Sequence, residues 1–485
     1  MPKRALKRSL LIALTAVSLA VQTTLSHAQG ISILRDAEIE KFIEDYTFPI
    51  LESAGINPDA VDLYLVGDQS PNAFVAGGLN MFIHSGLITL ADTPNQIEGV
   101  IAHETGHMTG GHIARSDDVA AAASTPMLLS LVLAAGAVAA GAPEAGIGLL
   151  GLGQNIGLAN YLSYSRGQES SADQAALTFL EAQGHSGKGL IEFFAKLRNT
   201  QLITGRRYNP YLQTHPLANQ RITALSERAS RSEFFDVADP PEEIERLNLI
   251  KAKIRGFLQD THATLRQYPL SDQSDAAHYA RAVAYYRGSE LEKAQREITT
   301  LTEKYPDNPY YHELEGQMLF EFGRLAESIG PHRRSVTLAP DEPLFRINLG
   351  RALIATEEPA AYEEAVVEIK RALLLEPDNG FGWFEIARAY GGLGNDAMAD
   401  LATAESRYHS GAKGEANRFA RRALAGLSKG TPEWRQAVDV IYATQPSTGS
   451  AAPLPGSAGE TSGPAPSPKS EDDVPDPTFN WSAGR

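Results

Sequence analysis

The chain has 485 residues, 43% of them apolar and 21% charged, with 42 Gly, 28 Pro and no Cys. That length suggests two or three globular domains, and zero Cys excludes disulfides, Fe–S clusters, Cys-type zinc fingers and thiol nucleophiles together. A formal net charge of −16 is wrong for wrapping nucleic acid, which demands a basic face, so no nucleic-acid partner is expected.

Residues 1–28 read as a secretory signal. Lys3, Arg4, Lys7 and Arg8 precede an apolar run from Leu10 to Val21, and Ser26-His27-Ala28 offers small residues for a peptidase. The mature chain is expected to start at Gln29 with a net charge near −20. The apolar run is short for a membrane span. A bacterial periplasm is the economical location.

From residue 29 to 115 helical and strand signals mix. Strand character lies at Asp62–Val66 and again from Phe74 to Ile83, where alternation is too imperfect for a two-faced strand. The paired Gly77 and Gly78 suggest a place where another backbone comes near. Thr93, Pro94 and Gln96 then announce a helix, as N-cap, first helical residue and partner in a capping box.

On that helix lies His103-Glu104-Thr105-Gly106-His107. Two histidines four residues apart face the same way, and neutral imidazoles so placed can share one zinc ion, with Glu104 beside them to take a proton from water. His112, five residues beyond His107, falls about 140° round a continuing helix and reads as structural.

Residues 116–165 form an Ala/Gly-rich insert almost free of charge. A helical hairpin packed on the domain or resting against a membrane face is expected there. A catalytic zinc needs a third protein ligand, and Ser165-Arg166-Gly167-Gln168-Glu169-Ser170-Ser171-Ala172-Asp173 offers a carboxylate pair on one helical face. One of Glu169 and Asp173 can bind metal while the other accepts the distal N–H of a ligand histidine.

These two motifs, some sixty residues apart, resemble the zinc metallopeptidases of the HtpX and CAAX-prenyl-protease family. Asn72–Gly78 and Gly86-Leu87-Ile88 look like that family's strand and turn before the site. The resemblance implies one Zn2+ per chain held by His103, His107 and Glu169, with Glu104 as general base and Asp173 as the supporting carboxylate. Thr214-His215-Pro216 with Arg221-Ile222 matches a further family motif. It implies that His215 reaches the zinc, either as a latch on the open position or as a donor to a developing oxyanion.

Past a helical connector at 236–274, amphipathic helices recur at a fixed period. Pro306-Asp307, Pro340-Asp341 and Pro377-Asp378 are spaced by 34 and 37 residues, and the small residues Ala294, Ser328, Ala365 and Ala399 by 34, 37 and 34. A 34-residue helix–turn–helix unit is the tetratricopeptide signature, and Thr356-Glu357-Glu358-Pro359 marks the three-residue insertion. Such repeats stack into a solenoid that binds extended polypeptide. From 444 onward the chain is Pro/Ser/Gly-rich and is expected to be a disordered tail.

The expected architecture is α+β and mostly helical: a zincin-like metallopeptidase domain at 29–235, then an all-α tetratricopeptide-repeat solenoid at 275–443. The expected activity is that of a zinc-dependent metalloendopeptidase. The resemblance, narrowed by the signal segment and the repeats, implies unfolded or misassembled outer-membrane β-barrel proteins as clients. It also implies the barrel-assembly machinery as a partner of the repeats. The alternative is a repeat chaperone or scaffold whose protease stays largely latent.

Overall fold

The computed structural model describes residues 32–112, 130, 165–204, 211–212, 215–217 and 219–445. The expected signal segment, nearly all of the 116–165 insert and the tail beyond 445 lie outside them. Among the described residues no helix is long and apolar enough to cross a membrane.

The chain enters through β1 (Ile33–Leu34) and α1 (Ala37–Ser53). Asp36 caps α1 by accepting from the Ile39 N–H, and Glu40 accepts from the Asp36 N–H, so both donors are satisfied reciprocally. Ile39, Phe42, Ile43 and Ile50 then give α1 one buried stripe.

A four-stranded sheet follows from β2 (Asp62–Val66), β3 (Ala73–Ala76) and β4 (Asn80–His84), in the order β1-β2-β4-β3. β2 runs parallel to β4, while β3 and β4 are antiparallel. The expected single strand from Phe74 to Ile83 is thus a hairpin. Gly77 and Gly78 both take positive φ, at 59° and 106°, and make its turn rather than admitting another backbone. Inserting that turn spoiled the alternation along the sequence. Each strand is in fact two-faced: Leu65, Ala73, Met81 and Ile83 are buried in the core, and Tyr64, Phe82 and Phe74 stack on the other face.

The short helix α2 (Ser85–Leu90) ends under three cations. Arg255, Lys196 and Lys251 donate to the carbonyls of Thr89, Leu90 and Ala91. Positive charge at a helix C-terminus answers its orphan carbonyls. Next come α3 (Pro94–Thr109), the helical residues 165–182 (α4), α5 (Lys188–Thr204) and α6 (Asn219–Ala229). The start of α3 differs from the expected capping box. The Thr93 side chain does not cap the helix, and Gln96 accepts from the Asp92 N–H instead. The Asn95 N–H finds the Asp239 carboxylate, 144 residues along the chain.

Beyond α7 (Pro241–Leu258) and α8 (Thr261–Gln267) the chain forms helix pairs. Their first helices start at Asp275, Pro309, Pro343, Gly380 and Lys413, in steps of 34, 34, 37 and 33. Ala294, Ser328 and Ala365 are fully buried where paired helices meet, and Ala399 is half-buried. The helix Pro359–Leu375 has 17 residues, against 14 for its counterparts Leu291–Lys304 and Leu325–Leu338. The insertion is therefore an added turn at the start of a helix.

One hydrophobic core runs from Leu34 through the peptidase region, α7 and the first helix pairs to Met318. Lys253 on α7, itself buried, bridges Asp36 at 2.8 Å and Glu38 at 3.0 Å, and Tyr279 of the first pair donates to Glu38. The connector is therefore part of the core that joins the repeats to the front of the chain.

Candidate metal centre

Helix α3 is buried from Pro94 to His107, so its histidines face protein rather than water. His103 Nε2 and His107 Nε2 lie 3.1 Å apart. Helix α4 brings Glu169 to them: Oε2 is 3.5 Å from His103 Nε2, and Oε1 is 3.5 Å from His107 Nε2. The two helices approach this closely because Gly106 has no side chain. A Cβ there would lie 2.8 Å from the Ala172 carbonyl oxygen.

His215 joins from the loop before α6, with Nδ1 3.0 Å from Glu169 Oε1 and Nε2 3.5 Å from Glu104 Oε1. Its ring stacks on Tyr211, centroids 4.6 Å apart, and its backbone N–H donates to the Tyr211 carbonyl. One ligand atom each from His103, His107, Glu169 and His215 falls within 4.8 Å of the others, and all four residues are buried. Asp173, one turn beyond Glu169, sets Oδ1 3.0 Å from His103 Nδ1. Thr214 lies outside the described residues.

Three buried carboxylates, those of Glu104, Glu169 and Asp173, set the electrostatics of the site. Burial works against the Glu169 carboxylate, yet hydrogen bonds from His103 and His215 hold it far below its usual range. Burial likewise opposes a charge on His103, but Asp173 and Glu169 raise it to about 9. Burial, with His103 and His215 alongside, pushes His107 down to about 2. Arg221, 2.7 Å from Glu169 and paired with Asp173, brings one positive charge to these two carboxylates, and a protonated His103 ring brings a second.

The spacing of these groups suits a divalent metal ion. Ligand atoms 2.0–2.1 Å from a tetrahedral zinc lie about 3.3 Å from one another, close to the separations found among His103, His107 and Glu169. The donor set, two imidazoles and one carboxylate, suits that ion. Neither Glu104 oxygen has a hydrogen-bond partner among the described residues although both are buried. Burial pushes the Glu104 carboxyl up. A buried carboxyl with raised proton affinity has the chemistry of a proton acceptor.

His112 departs from the expected reading. Helix α3 stops at Thr109, so the rotation expected of a continuing helix does not apply, and His112 Nδ1 lies 2.9 Å from His107 Nδ1. The signal was present in Gly110-Gly111, a pair suited to ending a helix. The second residue missed was Arg221 in its full role. It donates to both Asp173 oxygens and lies 2.7 Å from Glu169 Oε2.

A buried HExxH helix, a distal Glu on a second helix and room for one ion between them are the marks of a metallopeptidase. Residues 34–229 match Peptidase family M48. Among curated proteins, the chain is 24% identical over 383 residues to the beta-barrel assembly-enhancing protease of Escherichia coli K12, covering 77% of this chain and 76% of that one. Its counterpart in Yersinia pestis is 26% identical over 358 residues, 72% of this chain and 71% of that protein. The Escherichia coli metalloprotease LoiP is 29% identical over 175 residues, 36% of this chain and 65% of its own.

Proposed function

We propose that this protein is a periplasmic zinc metalloendopeptidase that degrades misassembled outer-membrane β-barrel proteins and assists their assembly. The observation that carries the reading is the buried quartet His103, His107, Glu169 and His215 beside the buried Glu104 carboxylate, which has no hydrogen-bond partner among the described residues. The names of the relatives support the choice of client, and the helix pairs at 275–443 supply a surface for extended chain and for the barrel-assembly machinery.

His103, His107 and Glu169 would hold the zinc, and Asp173 fixes His103 through its distal nitrogen. A bound zinc ion supplies Lewis acidity toward a carbonyl oxygen and lowers the pKa of water. Glu104 takes the proton of the attacking water and returns it to the leaving amine. Among the described residues β3 is one of the two outer strands of the sheet, with β1 at the other edge, and it packs against α3, so an extended client could align by adding to it.

One observation favours a second reading, a repeat chaperone with a latent protease. His215 stands inside the quartet, where a client's carbonyl needs room. The test is turnover of an unfolded outer-membrane β-barrel protein by zinc-loaded wild type and Glu104→Gln, with barrel assembly scored in parallel. Hydrolysis lost in Glu104→Gln supports the peptidase. Assembly support fully retained by that variant favours the chaperone.

A further inference from the structure

Helix α3 closes in a way that places one side chain on another. The Gly111 N–H donates to the Met108 carbonyl, and the His112 N–H donates to the His107 carbonyl. Gly111 takes φ +61°, the left-handed conformation that turns the chain back over the last helical turn. This pair of bonds stacks the second residue past the cap on the residue three from the helix end. Such closures usually bring two apolar side chains together. Here the two residues are His112 and His107.

The ring of His112 also has space made for it. A Cβ on Gly110 would lie 2.4 Å from His112 Nε2. The two imidazoles meet edge to face, with centroids 5.0 Å apart at 74°, and their Nδ1 atoms are 2.9 Å apart. One Nδ1 must therefore donate and the other accept.

The direction of that bond follows from the other end of His107. Its Nε2 faces His103 Nε2 and Glu169 Oε1, so on the reading proposed above its lone pair must be free for metal. A neutral His107 then carries its proton on Nδ1, which leaves His112 Nδ1 as acceptor and puts the His112 proton on Nε2. The opposite arrangement would place the His107 proton on Nε2 and block it as a ligand.

We propose that His112 is a positioning residue that holds His107 in its metal-binding tautomer and ring orientation. It does for His107 what Asp173 does for His103, with a neutral acceptor in place of a carboxylate. The inference rests on the metal-centre reading, and the test separates the two.

Zinc affinity is measured by competition with a chromophoric chelator on full-length wild type, His112→Phe and His112→Asn, with the metal-free melting temperature as a check of the fold. Phe keeps a ring and loses the acceptor, whereas Asn sets its Oδ1 near the place of the lost Nδ1. His112→Phe should bind zinc about 10- to 100-fold more weakly, the usual loss when a ligand's outer partner is removed. His112→Asn should recover most of that loss. Wild-type affinity in His112→Phe, or an Asn variant no better than Phe, overturns the role of His112 while leaving the metal centre standing. A wild type that binds no zinc overturns both. Nitrogen-15 spectra of histidine-labelled, zinc-loaded wild type need no variant: a proton on His112 Nε2 supports the proposal, and one on His112 Nδ1 overturns it.

Discussion

Arg221 closes on Asp173 through two parallel hydrogen bonds, Nε to Oδ2 and Nη2 to Oδ1, both 2.8 Å long. Its remaining nitrogen lies 2.7 Å from Glu169 Oε2 and donates to the Pro216 carbonyl. One buried guanidinium thus ties Glu169 and Asp173 of α4 to the loop that carries His215. A fork of fixed geometry suits the task, where a lysine offers a point charge.

Replacing Arg221 by Met should leave two buried carboxylates without their cation. Breaking a buried pair from one side costs about 3–5 kcal/mol. Denaturant unfolding of the metal-free protein measures the loss directly. A variant as stable as wild type would show that the cluster does not depend on this side chain.

Glu104→Gln should abolish peptide hydrolysis and leave metal binding intact, because the base is lost while the proposed ligands remain. The same change should raise the stability of the metal-free protein at neutral pH. Burial raises the Glu104 carboxyl, so ionising it weighs against the folded state once the pH exceeds the unfolded value. Parallel assays of peptide turnover, metal content and melting temperature check the three outcomes together.

His215→Ala distinguishes a latch from a transition-state donor. As a latch, His215 fills the position that a client needs, and its removal should speed turnover of an unfolded client at equal zinc occupancy. Removing a donor to the oxyanion instead slows an enzyme on the order of 10²-fold. The faster outcome is expected, since Tyr211 stacks on the ring and Pro216 restricts the backbone beside it, holding His215 on Glu169.

A pH effect should arise outside the candidate metal centre, at Glu313. Burial, with Asp36 and Glu38 nearby and against the pull of Lys253, raises this carboxyl from 4.5 to about 7. Between those values the unfolded chain has released a proton that the folded chain keeps, so stability falls as pH rises. Glu313→Gln removes that loss. It should be stabilising above pH 7 by about 1–3 kcal/mol, since each tenfold change in proton affinity is worth about 1.4 kcal/mol, and neutral below about pH 4.5. Urea unfolding at both pH values tests the sign.

Much of the candidate site was legible because its parts are local. His103 and His107 share a face by helical spacing, as do Glu169 and Asp173, and the 34-residue period needs only pattern to be seen. Local rules also failed locally. Counting five residues from His107 placed His112 on the far side of a helix that in fact ends at Thr109. Alternation was judged across a turn that Gly77 and Gly78 insert.

By itself, then, the sequence determined which side chains could bind a metal, the face each would present, and the length of the repeating unit. Periodicity carries that information, since 3.6 residues per turn holds wherever a helix forms. Tertiary structure decided which faces meet. The close approach of α3 and α4 at Gly106, the capping of α3 by Asp239 and the bridge from Lys253 to Asp36 and Glu38 each join residues 66 or more positions apart. No window of sequence contains both partners of such a contact. It exists only because burial of one shared core brings the segments together.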